Sequence, residues 1–165
     1  MLRTGTIALV LVLVVGCSAR SGPSDEDHEA AKGPETLRVV RISSEAAGQG
    51  PRSPRVILAP SAAALSQEMG TTIPDSGNGA YLAAYWGEKP TGGYSLAVRS
   101  ARLEGDRVTV RLALEKPPPD AIVTQALTYP YAVSVVRGLD PEGKTLLFVD
   151  QRDRRLGWPV RRVGG

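Results

Sequence analysis

Arg107-Val108-Thr109-Val110-Arg111-Leu112-Ala113-Leu114-Glu115 alternates through nine positions, and no other stretch limits the possible folds so tightly. A period of two places Val108, Val110, Leu112 and Leu114 on one face of a strand, whereas a helix would scatter them around its axis. Such a strand needs sheet neighbours and a core beneath it. The segment Tyr94–Arg99 supplies one neighbour, joined through the tight turn Glu104-Gly105-Asp106. Its stripe of Tyr94, Leu96 and Val98 slips phase at Ser100-Ala101, so that Leu103 falls on the other parity. A β-bulge would correct the slip, and twist at the strand end would account for it equally well.

Further strands are predicted at Leu37–Ile42, Arg55–Leu58, Ala80–Trp86, Tyr131–Val135 and Thr145–Val149. The last is apolar on both faces, which predicts a central or covered position. One helix is expected. Ser61 can cap it, Ala62, Leu65 and Met69 share a face at i, i+3 and i+7, and Gly70 can stop it. The expected fold is mainly β, an antiparallel sandwich or partly closed barrel with one short helix.

The chain opens with Arg3 and an apolar run, Ile7–Val15, shorter than the roughly 20 residues of a membrane-spanning helix but suited to a signal peptide. The run ends in Val14-Val15-Gly16 before Cys17, the single cysteine. This arrangement resembles a bacterial lipobox, in which the signal is cut before the cysteine and the cysteine is acylated. Residues 1–16 are therefore expected to be a lipoprotein signal peptide. Residues 17–35 would be the lipidated cysteine and a flexible polar tether, and 36–165 a single β-rich domain. The expected location is the bacterial cell envelope, anchored to a membrane through Cys17 and facing outside the cytoplasm.

With Cys17 acylated, no disulfide framework and no thiolate nucleophile remain. Loss of residues 1–16 removes Arg3 alone among charged residues, so the formal charge falls from +3 to +2. So small an excess, without aromatic interleaving, argues against nucleic-acid binding. His28, the single histidine, lies in the tether beside Asp25-Glu26-Asp27, where a solvated acidic run is expected rather than a metal site. Ser95 has no structured histidine to activate it. No phosphate-binding, dinucleotide, zinc or nucleophile-elbow motif is present. The expectation is a chain that is not an enzyme and takes neither cofactor nor metal.

Two connections stand out. Gly87-Glu88-Lys89-Pro90-Thr91-Gly92-Gly93-Tyr94 combines a proline with a glycine pair between two strand-like runs, and is either an ordinary hairpin turn or a stiff recognition loop. Lys116–Pro130 is long and begins with Pro117-Pro118-Pro119, which favours extended chain. Trp86 and Tyr85 are expected in the core. The candidate partner-binding residues are Pro90, Thr91, Gly92, Gly93 and Tyr94 with Thr124, Gln125, Tyr129 and Tyr131, the two segments meeting at one end of the β domain. Internal bracing by Thr91 and Tyr94 is the alternative. The basic stretch Gln151–Gly165 is expected as a solvated tail or a contact for anionic lipid or an acidic partner.

The run from Tyr85 to Ser95 and the later Val123-Thr124-Gln125-Ala126-Leu127-Thr128-Tyr129-Pro130-Tyr131 together resemble the PrcB C-terminal domain family, over about Arg55 to Arg137. Its namesake is a lipoprotein subunit of a cell-surface protease complex. The resemblance implies a β-rich domain on an exported lipoprotein and a role in protein assembly, but not the same partner; the expected partner is an exported protein, a protease among the candidates. It carries over no catalytic residue. Pro90-Thr91-Gly92-Gly93-Tyr94 is also similar to the Pro-Thr-Thr-Gly-Tyr loop of chagasin-like cysteine-protease inhibitors, with Gly92 departing from that pattern. A loop-based protease inhibitor is therefore the alternative function.

Overall fold

Strand β6, Arg107–Glu115, buries Val108, Val110 and Leu112 completely and Leu114 in part, as its alternation requires. The computed structural model describes residues 33–164. The expected signal peptide, Cys17 and most of the expected tether fall outside them. The strands are β1 (Glu35–Leu37), β2 (Val39–Ala47), β3 (Arg55–Ala59), β4 (Gly79–Tyr85), β5 (Ser95–Glu104), β6, β7 (Tyr129–Arg137), β8 (Thr145–Val149) and β9 (Val160–Arg162). They form a sandwich of two sheets, ordered β1-β5-β6-β8 and β2-β7-β4-β3-β9. Most neighbours are antiparallel, but β6 with β8 and β3 with β9 run parallel.

The central strands β7, β4 and β3 of the second sheet are buried on both faces, which explains why β4 and β7 are apolar at nearly every position. Leu58, Leu82, Ala84, Ala132 and Val136 face the first sheet and pack with Leu96, Val110, Leu112 and Phe148. Ile57, Tyr81, Ala83, Val133 and Val135 face the other way, against Ala62 and Leu65 of helix α1, Ala62–Met69. That helix ends as its sequence predicts. The Ser61 hydroxyl accepts from the Ala64 N–H at 3.2 Å, and Gly70 takes a left-handed conformation at φ 64°. Between the sheets, the Ser134 hydroxyl is the buried side-chain polar atom left without a partner among the described residues.

The slip in β5 is a bulge: the register to β6 shifts between Val98 and Ser100, which returns Ala101 to the core. Three expectations are corrected. The first strand is two, because the chain leaves the first sheet at Leu37 and enters the second at Val39, and Arg38 makes the crossing. That pairing also begins at Glu35, one residue inside the stretch assigned to the tether.

Strand β8 lies at an edge in the sheet order. Its free side is nevertheless covered, by the Val149–Arg155 bridge and the Leu156 N–H donating to Phe148 at 2.8 Å. Gln151–Gly164 is not a solvated tail. Leu156 and Trp158 pack on the inter-sheet core, and β9 joins the sheet beside β3. Arg161 pairs with Glu68 at 2.7 Å, and Arg162 donates to the Pro141 and Lys144 carbonyls at 2.6 and 2.7 Å.

Candidate loop surface and cationic cleft

After β4 the chain runs beside the segment that precedes β7. The Trp86 N–H donates to Pro130 at 2.9 Å, and Lys89 and Thr128 exchange backbone bonds of 2.8 and 3.0 Å. The Gly92 N–H then reaches the Thr124 carbonyl at 2.9 Å, and the Thr128 hydroxyl donates to the Thr91 carbonyl at 2.7 Å. The two loops therefore meet through a small ladder of their own. Gly93 makes the approach possible, since a Cβ there would lie 2.8 Å from the Pro117 Cβ and 3.0 Å from the Val123 Cγ1. Its φ of 84° also suits glycine.

Of the residues expected at this surface, Pro90, Gly93, Thr124 and Gln125 are exposed, while Thr91, Gly92 and Tyr94 are half-buried. Tyr94 meets the Trp86 ring edge-on, with centroids 5.6 Å apart. Tyr129 donates its hydroxyl to Glu88 at 2.7 Å, and that hydrogen bond raises its pKa above the ordinary value. Tyr131 is not brought to the rim. It stacks on Tyr85 at 5.8 Å on the helix-bearing side of the second sheet and donates to Glu45 at 3.2 Å. Burial raises its pKa, with Glu45 adding to the effect. Thr91 does not brace the neighbouring loop with its side chain, because its hydroxyl donates to the adjacent Gly92 carbonyl at 3.1 Å. The bracing is done by backbone and by Thr128.

The most exposed apolar side chains near this junction were absent from the sequence-derived set. Ile122 is 104% exposed and Leu127 54%; Leu127 lies between Thr124 and Thr128, which Gly92 and Lys89 tie down, and Ile122 lies two residues before the first tie. Neither shows any periodicity, and the one available signal was an apolar residue in a proline-rich loop.

Trp86 anchors a second feature. Lys89 Nζ sits 4.8 Å over its ring and donates to the Trp86 and Glu88 carbonyls at 2.8 and 3.2 Å. Burial lowers the pKa of this ammonium, and Lys116 lowers it further. Trp86 also lines a cleft of about 460 Å³ with Leu114, Lys116 and the turn after β8. Among the described residues no group of three histidine, cysteine or acidic side chains is placed to hold a metal ion.

Fold and surface together define a β-sandwich whose prominent features are a stapled loop pair and a cationic cleft. Residues 80–137, running from β4 to the end of β7 and including both loops, match the family model described as PrcB C-terminal. No curated protein and no solved structure matches the chain.

Proposed function

We propose that this protein is a non-catalytic accessory subunit, held in the bacterial envelope through a lipidated Cys17, that docks on an exported protein such as a protease. The observation that carries the docking surface is Ile122, fully exposed, with Leu127 on the same tethered connection. An exposed isoleucine leaves roughly 1.5–3 kcal/mol of burial unrealised in the isolated protein. The ties at Thr124 and Thr128 reduce the ordering that binding must impose at Leu127 and beside Ile122. The family match is consistent with such a role.

The test is capture of exported proteins from detergent-solubilised envelopes by the full chain and by Ile122→Ser/Leu127→Ser. An unchanged melting temperature with lost capture supports the proposal. Capture equal to wild type by the folded variant overturns it. A captured protease that remains active fits an accessory subunit, and one that is blocked fits the loop-based inhibitor.

A further inference from the structure

The cleft beside Trp86 has an unbalanced charge that the folding of the chain does not use. It is lined by Lys116, Arg152 and Arg154, against a single carboxylate, Asp150. That carboxylate is already saturated. Its Oδ1 accepts from the Arg152 and Arg154 N–H groups at 2.8 and 2.9 Å, and its Oδ2 takes the Arg154 guanidinium at 2.6 and 2.7 Å. Asp150 therefore consumes the charge of Arg154 and fixes the turn that carries Arg152.

Neither Lys116 nor Arg152 makes an ion pair among the described residues, and Lys89 donates only to carbonyls. Nearby carboxylates are engaged elsewhere: Glu115 with Arg99, Glu88 with Tyr129 and Arg52, and Asp153 with Arg111. Three cations thus surround Trp86 without a counter-charge.

The walls indicate what kind of anion fits. Trp86 and Leu114 are apolar and half-buried, and the volume lies within the range of small-molecule and short-peptide sites. Strand β8 pairs with β6 only as far as Arg111. Beyond it, the Gln151 carboxamide stands in for a peptide unit, accepting from the Leu114 N–H at 3.2 Å and donating to its carbonyl at 3.0 Å. Gln151 thus satisfies the Leu114 backbone from within the chain, and the recess itself offers apolar walls and unpaired cations, which suit an extended acidic chain better than a flat bilayer.

We propose that this cleft binds an extended acidic peptide segment of a protein partner, its backbone lying along Trp86 and Leu114 and its carboxylates meeting Lys116 and Arg152. The site goes beyond the loop surface proposed above and does not depend on Ile122 or Leu127.

The test uses the full chain in non-ionic detergent and a fluorescein-labelled, amidated peptide of alternating Glu and Ala, read by anisotropy. Saturable binding that weakens with salt is expected, with the Gln/Ala counterpart at least roughly tenfold weaker. Lys116→Gln/Arg152→Gln, both exposed side chains, should weaken binding by about tenfold or more. Arg38→Gln/Arg102→Gln removes the same charge elsewhere on the surface and should leave binding unchanged. Ile122→Ser should also leave it unchanged, which separates this site from the loop surface. Equal binding of the two peptides, equal loss in the two double variants, or no binding overturns the proposal. So does cleft-dependent binding to phosphatidylglycerol over phosphatidylcholine vesicles without peptide binding.

Discussion

Gly93→Ala tests the junction on which the loop surface rests. At φ 84° a side chain incurs the strain of left-handed backbone, roughly 1–2 kcal/mol. The added methyl would also sit 2.8 Å from the Pro117 Cβ and 3.0 Å from the Val123 Cγ1. Neither neighbour is the far end of a flexible side chain, so the two loops must separate, at an overpacking cost of about 1–3 kcal/mol. The expected loss is thus ~2–5 kcal/mol. Gly70→Ala supplies the control, because its φ is 64° with nothing within 4 Å of the new methyl. It should lose only the backbone part, about 1–2 kcal/mol. Urea unfolding followed by tryptophan fluorescence gives both values, provided the m-values agree. Hydrogen exchange gives a local reading. The Gly92 and Thr128 amides, bonded across the junction, should be protected in the wild type and lose protection in Gly93→Ala. Equal losses in the two variants, with both amides still protected, would refute the close approach.

Val110→Ala should cost roughly 2–3 kcal/mol, since it removes methyl groups buried between the sheets. Thr109→Ala, on the opposite face, should cost well under half as much, and equal melting shifts would contradict the face assignment. Ser134→Ala should stabilise the fold by about 1 kcal/mol by removing an unpartnered buried hydroxyl, and a lower melting temperature would refute this. Burial pushes the Asp150 carboxyl up, but the Arg154 N–H, the Arg154 guanidinium and the Arg152 N–H hold it below its ordinary value. Its contribution is therefore present above a pH of about 3.9 and lost as pH falls through the lower folded value, so Asp150→Asn should flatten the acid limb of a stability–pH profile. A wild type and variant differing by the same amount at every pH would contradict it. Wild-type protein should enter the detergent phase of a Triton X-114 extraction, and identical partitioning by a processed Cys17→Ala variant would remove the lipid anchor from the proposed function.

Whatever depends on neighbours a few residues apart was legible in the chain alone. The parity of Arg107–Glu115, the Ser61 and Gly70 helix caps and the phase slip near Ser100 follow from side-chain period, capping chemistry and permitted φ values, whereas the register to β6 decided that the slip is a bulge. Contacts between distant segments were decided by the tertiary structure. Thr145–Val149 could not disclose that it pairs parallel with β6, nor Gln151–Gly164 that it folds back over two sheets, because backbone pairing takes its specificity from what the other segment buries. The same limit held at the surface. Tyr131 and Ile122 both lay in segments suspected of contact, yet sheet packing turned the tyrosine onto Tyr85 while the Pro117-led loop left the isoleucine bare. Exposure is a property of the surroundings, and for an irregular loop no sequence period encodes them.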